Sequence, residues 1–114
     1  MRELTKIFKA LSDSNRLRIL KMLEIRALCV CEITEVLQLA PSTVSKHLAI
    51  LRDANLITDS KEGKWVNYAL NTAERTDYVA DLLPILAGWL PDDSTIETDA
   101  QKVRSVDRFK LCGV

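Results

Sequence analysis

Apolar side chains recur every three or four residues in four successive stretches of the first half of the chain. This is the spacing of one buried helical face, so each stretch is predicted to be an amphipathic helix. The predicted helices cover residues 3–10, 16–25, 28–37 and 41–54. A turn of about three residues, Gln38-Leu39-Ala40, separates the last two. Two helices joined in this way form a helix-turn-helix.

The fourth predicted helix has an apolar stripe and a polar N-terminal half. Pro41 suits its first position, because proline has no N–H group to leave unpaired there. The polar residues at its start are Ser42, Thr43, Ser45, Lys46 and His47. Short hydrogen-bonding side chains and a cation at this end are typical of a helix that enters the major groove of DNA. The alternative is an amphipathic helix whose polar face is simply solvated.

Two β-like runs, residues 56–60 and 65–70, predict β-strands after this helix, and the second alternates along its length. Lys61-Glu62-Gly63-Lys64 joins them as a hairpin turn. A charged hairpin directly after a recognition helix is typical of a wing, so Lys61 and Lys64 are predicted to contact phosphate or the minor groove. An ordinary surface hairpin is the alternative.

Residues 73–90 predict a long helix, with Asn71-Thr72 as its cap and Pro84 as a kink or break. This helix is apolar on more than one face, which a small domain cannot bury alone. We therefore expect a two-fold dimer, unless the helix lies across its own domain. The predicted fold class is mainly α with a β-hairpin, a winged helix-turn-helix that forms a homodimer through its N- and C-terminal helices.

Composition and charge bound the class of protein. The chain has 114 residues, 47% of them apolar, which suits one small domain. We expect residues 1–90 to be the DNA-binding and dimerisation domain, and 91–114 a polar C-terminal tail with room for a short helix. Residues 1–70 carry eleven Lys/Arg and eight Asp/Glu, whereas residues 71–114 carry five and eight. This asymmetry suits a dimer that binds double-stranded DNA through specific contacts.

The sequence also excludes several classes. It has no run of 18 apolar residues and no signal peptide at its start, so we expect no membrane span and a cytoplasmic location. It has no Ser/His/acid set, phosphate-binding glycine loop or carboxylate pair, which argues against an enzyme. Lys46, Lys61 and Lys64, next to small polar residues, argue against a module that binds only proteins.

The three cysteines, Cys29, Cys31 and Cys112, are expected to be thiols in the cytoplasm. Soft thiolates suit arsenite, antimonite, Cu(I) and zinc. Cys29 and Cys31 would point to nearly opposite faces of a regular helix, so they can share one ion only where the helix start is irregular or unwinds. A place near a helix N-terminus is expected to lower their pKa values. One alternative is that the two cysteines are simply small buried hydrophobic residues. Another is that the cysteines act as a redox sensor by forming a disulfide.

Four motifs in order resemble the ArsR/SmtB family of winged helix-turn-helix metal-sensing repressors. They lie at residues 8–20, 28–33, 42–48 and 63–68. The second is similar to the arsenic-sensing motif of the arsenical-resistance repressors, and the last two to the recognition helix and the wing. The resemblance covers residues 4–90 and implies that Ser42, Ser45 and Lys46 contact operator DNA.

The resemblance further implies a homodimeric transcriptional repressor. It would bind a palindromic operator without a cofactor and release it when As(III) or Sb(III) binds its thiolates. The family motif usually has a third cysteine where this chain has Thr34. Cys112, or an external thiol or hydroxide, would then complete the arsenic site. Sensing of zinc, cadmium, copper or thiol oxidation by the same fold stays open.

Overall fold

The computed structural model describes residues 1–72 and 77–107 of the chain. The helices are α1 (Arg2–Leu11), α2 (Ser14–Leu23), α3 (Val30–Leu37), α4 (Pro41–Asp53), α5 (Tyr78–Ala87) and α6 (Ser94–Ser105), and the strands are β1 (Leu28–Cys29), β2 (Ile57–Glu62) and β3 (Trp65–Leu70). The strands form one antiparallel sheet in the order β1-β3-β2. Helices α3 and α4 form the helix-turn-helix and the β2–β3 hairpin forms the wing, which confirms the predicted winged helix-turn-helix.

The core is built from the apolar stripes that the helical spacing predicts. Most of its large, fully buried side chains come from α2, α3, α4 and the residues around the start of β2; they include Ile19, Leu20, Ile33, Val36, Val44, Leu48, Leu51, Leu56 and Ile57. Helix α2 begins where the Asp13 carboxylate accepts the N–H groups of Asn15 and Arg16, at 2.8 and 3.1 Å. This is an N-cap, which satisfies amides that the helix itself leaves unpaired. Burial alone would raise the pKa of Asp13, but these two bonds and the nearby positive charge of Arg16 together lower the pKa.

The third helix is shorter at its start than the periodicity predicts. Leu28 and Cys29 do not continue α3 but pair as β1 with Tyr68 and Asn67 of β3. Because these two residues are extended, α3 begins at Val30. The predicted helix start at residue 28 is therefore wrong, since strand pairing with the wing overrides a helical apolar pattern.

The predicted long helix is also shorter in the structure. Its N-cap is Asp77, whose carboxylate accepts the N–H of Ala80 at 3.2 Å, and not Asn71-Thr72. Asn71 instead donates its side-chain N–H to the carbonyl of Asn55 at 3.0 Å. Residues 73–76 lie outside the described part of the chain. Helix α5 continues past Pro84, so the helix does not break there.

Helix α6 packs on the same core as the residues before it. The carboxylate of Asp93 caps it by accepting the N–H of Ile96 at 3.0 Å. Its Val103 side chain is fully buried, and its Asp99 accepts two hydrogen bonds from Arg18 of α2 at 2.8 and 3.0 Å. Within residues 1–72 and 77–107, no helix is both long and apolar enough to cross a membrane.

Candidate DNA-binding and thiol sites

The polar N-terminal half of α4 faces solvent, because buried Val44 and Leu48 turn the opposite face into the core. The exposed side chains on this half are Ser42, Thr43, Ser45 and Lys46. Ala40 is the N-cap of α4 and has no side-chain acceptor for its first amides. These amides carry the partial positive charge of a helix N-terminus, which favours an anion such as a DNA phosphate. The four side chains and the helix end thus form one exposed polar surface.

The wing carries the two other predicted DNA contacts, Lys61 near the end of β2 and Lys64 in the turn. Strand pairing extends to Glu62 and Trp65, so the turn is Gly63-Lys64 and the predicted turn over residues 61–64 is too long. Lys61 and Lys64 are exposed there, and Gly63 allows the tight turn because its φ of 60° lies in the left-handed region. Arg52 of α4 donates to Asp59 of β2 at 2.8 Å, so an ion pair ties the recognition helix to the wing. Sequence reasoning missed this pair, since opposite charges in two different elements leave no periodic signal.

His47 does not share the exposure of the other polar residues on α4. Its side chain is half-buried, and its Nδ1 atom lies 3.2 Å from Nη1 of Arg16. A guanidinium can only donate, so Nδ1 must be the unprotonated acceptor of this bond. Arg16 also donates to the carbonyls of Lys9 and Ala10 at the end of α1, at 3.2 and 2.8 Å. The structure thus directs His47 toward the junction of α1 and α2.

Cys29 and Cys31 flank the irregular start of α3. Cys29 is the extended N-cap residue with φ −88° and ψ 168°, whereas Cys31 is the second residue of the helix. The two cysteines therefore do not lie on one regular helix, which is the condition that the sequence set for sharing an ion. Cys29 is a buried free thiol. Cys31 is half-buried and disulfide-bonded, and its partner is not Cys29, so the expectation that Cys31 is a free thiol is wrong.

Two further positions, Cys112 and Thr34, bear on the predicted metal site. Cys112 lies outside the described residues. Thr34, at the position of the missing third cysteine, has a buried hydroxyl oxygen with no hydrogen-bond partner among the described residues. Within residues 1–72 and 77–107, no three His, Cys, Asp or Glu side chains are grouped so that they could hold a metal ion.

The electrostatics of Cys29 contradict the expected low pKa. Burial raises the pKa of the Cys29 thiol, and the negative charge of Glu32 raises it further. Hydrogen bonds from the backbone N–H groups of Glu32 and Cys31 lower it, but by less. The prediction of a lowered pKa is therefore wrong for Cys29, because desolvation disfavours the thiolate more than the helix start favours it.

A network of hydrogen bonds surrounds Cys29. Its N–H donates to Oε1 of Glu32 at 3.1 Å, and its sulfur accepts the N–H of Glu32, which together form a capping box. Arg26 donates from Nη2 to Oε2 of Glu32 at 2.9 Å, and to the carbonyls of Val103 and Val106 at 3.0 and 3.2 Å. We call Arg26, Glu32 and these two carbonyls the Arg26 clasp. Sequence reasoning missed it, although a glutamate three residues after a helix start is a capping-box signal.

Helices α1 and α5 leave large apolar side chains in solvent. The exposed ones in and next to these helices are Phe8, Tyr78, Ile85, Trp89 and Leu90. Ile85, Trp89 and Phe8 are 52%, 51% and 63% exposed, so the single chain does not bury them. Such exposed apolar side chains are typical of a protein–protein interface.

Sequence comparison finds similar proteins among bacterial regulators. The model of the family "Bacterial regulatory protein, arsR family" matches residues 13–59. The arsenical resistance operon repressor of Escherichia coli strain K12 is 44% identical over 66 residues, which are 57% of this chain and 56% of that protein. The repressor of the same name from Bacillus subtilis strain 168 is 45% identical over 75 residues, which are 65% of this chain and 71% of that protein. The chain thus spans little more than half of the E. coli protein.

Structure comparison finds similar folds. HlyU from Vibrio cholerae is 33% identical, with a TM-score of 0.62 over 75% of this chain and 88% of that chain. A structure of reduced HlyU from the same organism has a TM-score of 0.61, with 33% identity over 75% of this chain and 85% of that chain. Both matches cover the same share of the present fold.

Proposed function

Because the chain belongs to the arsR family of bacterial regulatory proteins, we propose that it is a homodimeric transcriptional repressor that releases its operator when As(III) or Sb(III) binds Cys29 and Cys31. The family consists of DNA-binding regulators. The relatives named arsenical resistance operon repressor supply the class of inducer. The observation that carries the proposal is the position of the two cysteines at the start of α3, the helix that packs against the recognition helix.

The proposed DNA contacts follow from exposure. Ser42, Thr43, Ser45 and Lys46 would enter the major groove, because they are exposed polar side chains on the N-terminal half of α4. Lys61 and Lys64 of the wing would contact phosphate or the minor groove. His47 would act on DNA only from a half-buried position, since it faces Arg16. Palindromic DNA then requires two copies of this surface.

The proposed dimer interface consists of α1 and α5. Their exposed apolar side chains gain most from burial against a second copy, because apolar area removed from water is the main driving force of association. A two-fold arrangement pairs each of these surfaces with itself. It would also place two recognition helices on one face of the dimer, as a palindromic operator demands.

The proposed coupling passes through the two elements that contact the cysteines. Helix α3 packs against α4, and Cys29 in β1 pairs with Asn67 in the wing strand β3. An ion shared by Cys29 and Cys31 would draw an extended residue and the first helical turn together. This displacement would move α3 and β1, and with them the surfaces that read DNA. Linkage then requires DNA to weaken As(III) binding by the same factor.

Cys112 is the proposed third sulfur ligand. The carbonyl of Val106 lies 3.2 Å from the same Arg26 nitrogen that contacts Glu32, so the chain leaves α6 beside the start of α3. The six residues from Val106 to Cys112 can span at most about 20 Å when extended, which is long enough for Cys112 to reach the start of α3. Arsenic X-ray absorption tests it: three sulfur neighbours in the wild type should fall to two in Cys112→Ser. An unchanged sulfur count would exclude Cys112 as a ligand.

The proposed function is tested by titrating the operator complex. The operator is first selected from random DNA, and the reduced protein bound to it is followed by fluorescence anisotropy. As(III) and Sb(III) should release the DNA near one equivalent per thiol site, whereas Zn(II) and Cd(II) should need far higher concentrations. Release by Zn(II) or Cd(II) alone would assign the same fold to another soft metal. No binding to any selected DNA would contradict the proposal altogether.

A second candidate is a thiol redox sensor of the same fold, which the disulfide at Cys31 favours. Formation of such a bond takes two electrons and two protons from two thiols, so an oxidant replaces arsenic as the signal. The two candidates predict opposite effects of a reductant. A reductant restores DNA binding of a redox sensor, but it supports As(III)-driven release, because arsenic needs free thiolates. Release by peroxide that dithiothreitol reverses, without response to As(III), would favour the redox sensor.

A further inference from the structure

The C-terminal helix and the cysteine site meet at one guanidinium group. We propose that Arg26 is a positioning residue of the thiol site: by holding the end of α6 against Glu32, it keeps the Cys29 thiol closed, so that release of α6 opens the thiol. The part concerning inducer entry rests on the proposed function. The part concerning access to Cys29 does not depend on it.

The geometry of the Arg26 clasp joins three segments of the chain. Nη2 of Arg26 lies within 3.2 Å of three acceptors, one carboxylate oxygen of Glu32 and the carbonyls of Val103 and Val106. The two carbonyls belong to the end of α6, where helix carbonyls lack partners and carry partial negative charge. A cation at this place is therefore favoured by the helix end and by the carboxylate together. Nη1 also donates to the carbonyl of Ala27 at 3.2 Å.

Glu32 transmits the position of Arg26 to Cys29. The Glu32 side chain is buried at 4% exposure, and its two oxygens are divided between Arg26 and the N–H of Cys29. A buried carboxylate without a compensating cation is strongly disfavoured, so loss of Arg26 should turn Glu32 toward water. The capping box would then open. The N–H of Cys29 would lose its acceptor, and the Glu32 side chain would no longer shield the Cys29 thiol from water.

Solvent reaches the Arg26 clasp but not the thiol. A cavity of about 670 Å³ lies between the start of α3, β3 and the end of α6, and its lining includes Arg26, Glu32, Asn67 and Val106. Cys29 does not line it and is only 2% exposed. Glu32 both lines this cavity and accepts the N–H of Cys29, so we expect opening of the clasp to expose the Cys29 thiol.

The test is the rate at which iodoacetamide alkylates Cys29 in the full-length reduced protein. Mass spectrometry with fragmentation assigns the label to Cys29 or Cys31. Arg26→Gln should raise the Cys29 rate by about tenfold or more, because the rate follows the population of the open form and charged hydrogen bonds hold it closed. Arg26→Lys should give a smaller rise, because the ammonium keeps a positive charge for Glu32 but cannot also keep the Nη1 hydrogen bond to the carbonyl of Ala27.

Two control variants separate positioning from general loosening of α6. Arg104→Gln removes a cation from the same helix and cavity but no hydrogen bond of the clasp, so the Cys29 rate should stay unchanged. Arg18→Gln breaks the ion pair to Asp99 and loosens α6 away from Glu32, so its effect should be much smaller than that of Arg26→Gln. An equal rise in Arg18→Gln and Arg26→Gln, or no rise in Arg26→Gln, would overturn the proposal.

The thermal unfolding temperature of each variant is measured together with its Cys29 alkylation rate. If Arg26→Gln fails to fold, Arg26→Lys serves as the test of the clasp. A faster Cys29 rate in Arg26→Lys, at an unfolding temperature near that of the wild type, supports the clasp, and an unchanged rate refutes it. As(III) titration separates this result from the proposed function. Faster alkylation in a protein whose DNA ignores As(III) would keep the clasp and reject the inducer. The opposite pattern would keep the inducer and reject the clasp.

Discussion

Substitution of Ser45 or Lys46 by alanine should separate DNA binding from folding. Both side chains are exposed on α4, and neither has a hydrogen bond among those described for the chain. Surface substitutions of this kind change the free energy of unfolding by about 0.5 kcal/mol or less. Alanine also has the higher helix propensity, which further limits any loss in the variants.

The loss in operator affinity should be much larger than the loss in stability. A base contact contributes about 1–3 kcal/mol of discrimination, and the lower value suits the single hydroxyl of Ser45. Two symmetric half-sites double this to about 2 kcal/mol per dimer, which is roughly a 30-fold weaker Kd for Ser45→Ala. Lys46→Ala should weaken the operator complex at least as much, because it also removes a cation near phosphate.

The assay is fluorescence anisotropy on the selected operator and on random DNA at several salt concentrations. Sedimentation of each variant checks that the dimer is intact, and thermal unfolding checks the fold. Glu35→Gln is a matched control, because Glu35 is exposed on α3 and lies outside the proposed DNA surface. Operator affinity within twofold of the wild type for both Ser45→Ala and Lys46→Ala would refute the assignment of α4 as the reading helix.

Three further predictions use other parts of the structure. Lys64→Ala should weaken operator and random DNA alike and reduce the salt slope by about 2 per dimer, as measured by anisotropy, because one phosphate contact is lost in each subunit. Ile85→Glu should give folded monomers in sedimentation, because Ile85 is 52% exposed. Leu86→Glu should instead unfold the chain, because Leu86 is buried and its carbonyl accepts a hydrogen bond from Lys21. A dimeric Ile85→Glu would exclude the exposed face of α5 as the dimer interface. Asp13→Ala should cost about 1 kcal/mol at neutral pH. The pKa of Asp13 is lower in the folded than in the unfolded chain. The contribution of Asp13 to stability is therefore complete above the unfolded pKa, near 4, and is lost as the pH falls through the folded pKa. The free energies of unfolding in urea of the wild type and the variant should thus become equal in acid.

The elements that the sequence predicted well are those whose burial is local and periodic. Val44, Leu48 and Leu51 fix one face of α4 by spacing alone, and the alternation of the β2 and β3 region predicts the wing. The start of α3 was mispredicted because Cys29 pairs with Asn67, which is 38 positions further along the chain. No window around residue 29 contains that partner, so a helical pattern was extended two residues too far.

The candidate site follows the same division. The exposure of Ser42, Ser45 and Lys46 could be predicted, because helical spacing places them away from the buried stripe of the same helix. The half-buried position of His47 could not, since it depends on Arg16, which reaches it from another helix. The raised pKa of Cys29 also had no sequence signal. It depends on burial of the thiol and on the Glu32 carboxylate, and both arise only when the chain folds.

The central claim is that As(III) acts through Cys29, and the Cys29→Ser variant tests it most directly. Cys29 is the N-cap of α3, and serine is a preferred residue at that position, so the variant should fold and bind the operator within about twofold of the wild type. Operator complexes of both proteins are titrated with As(III) under reducing conditions and followed by anisotropy. The account predicts complete release from the wild type and none from Cys29→Ser at the same concentration. Equal release from both proteins would contradict it.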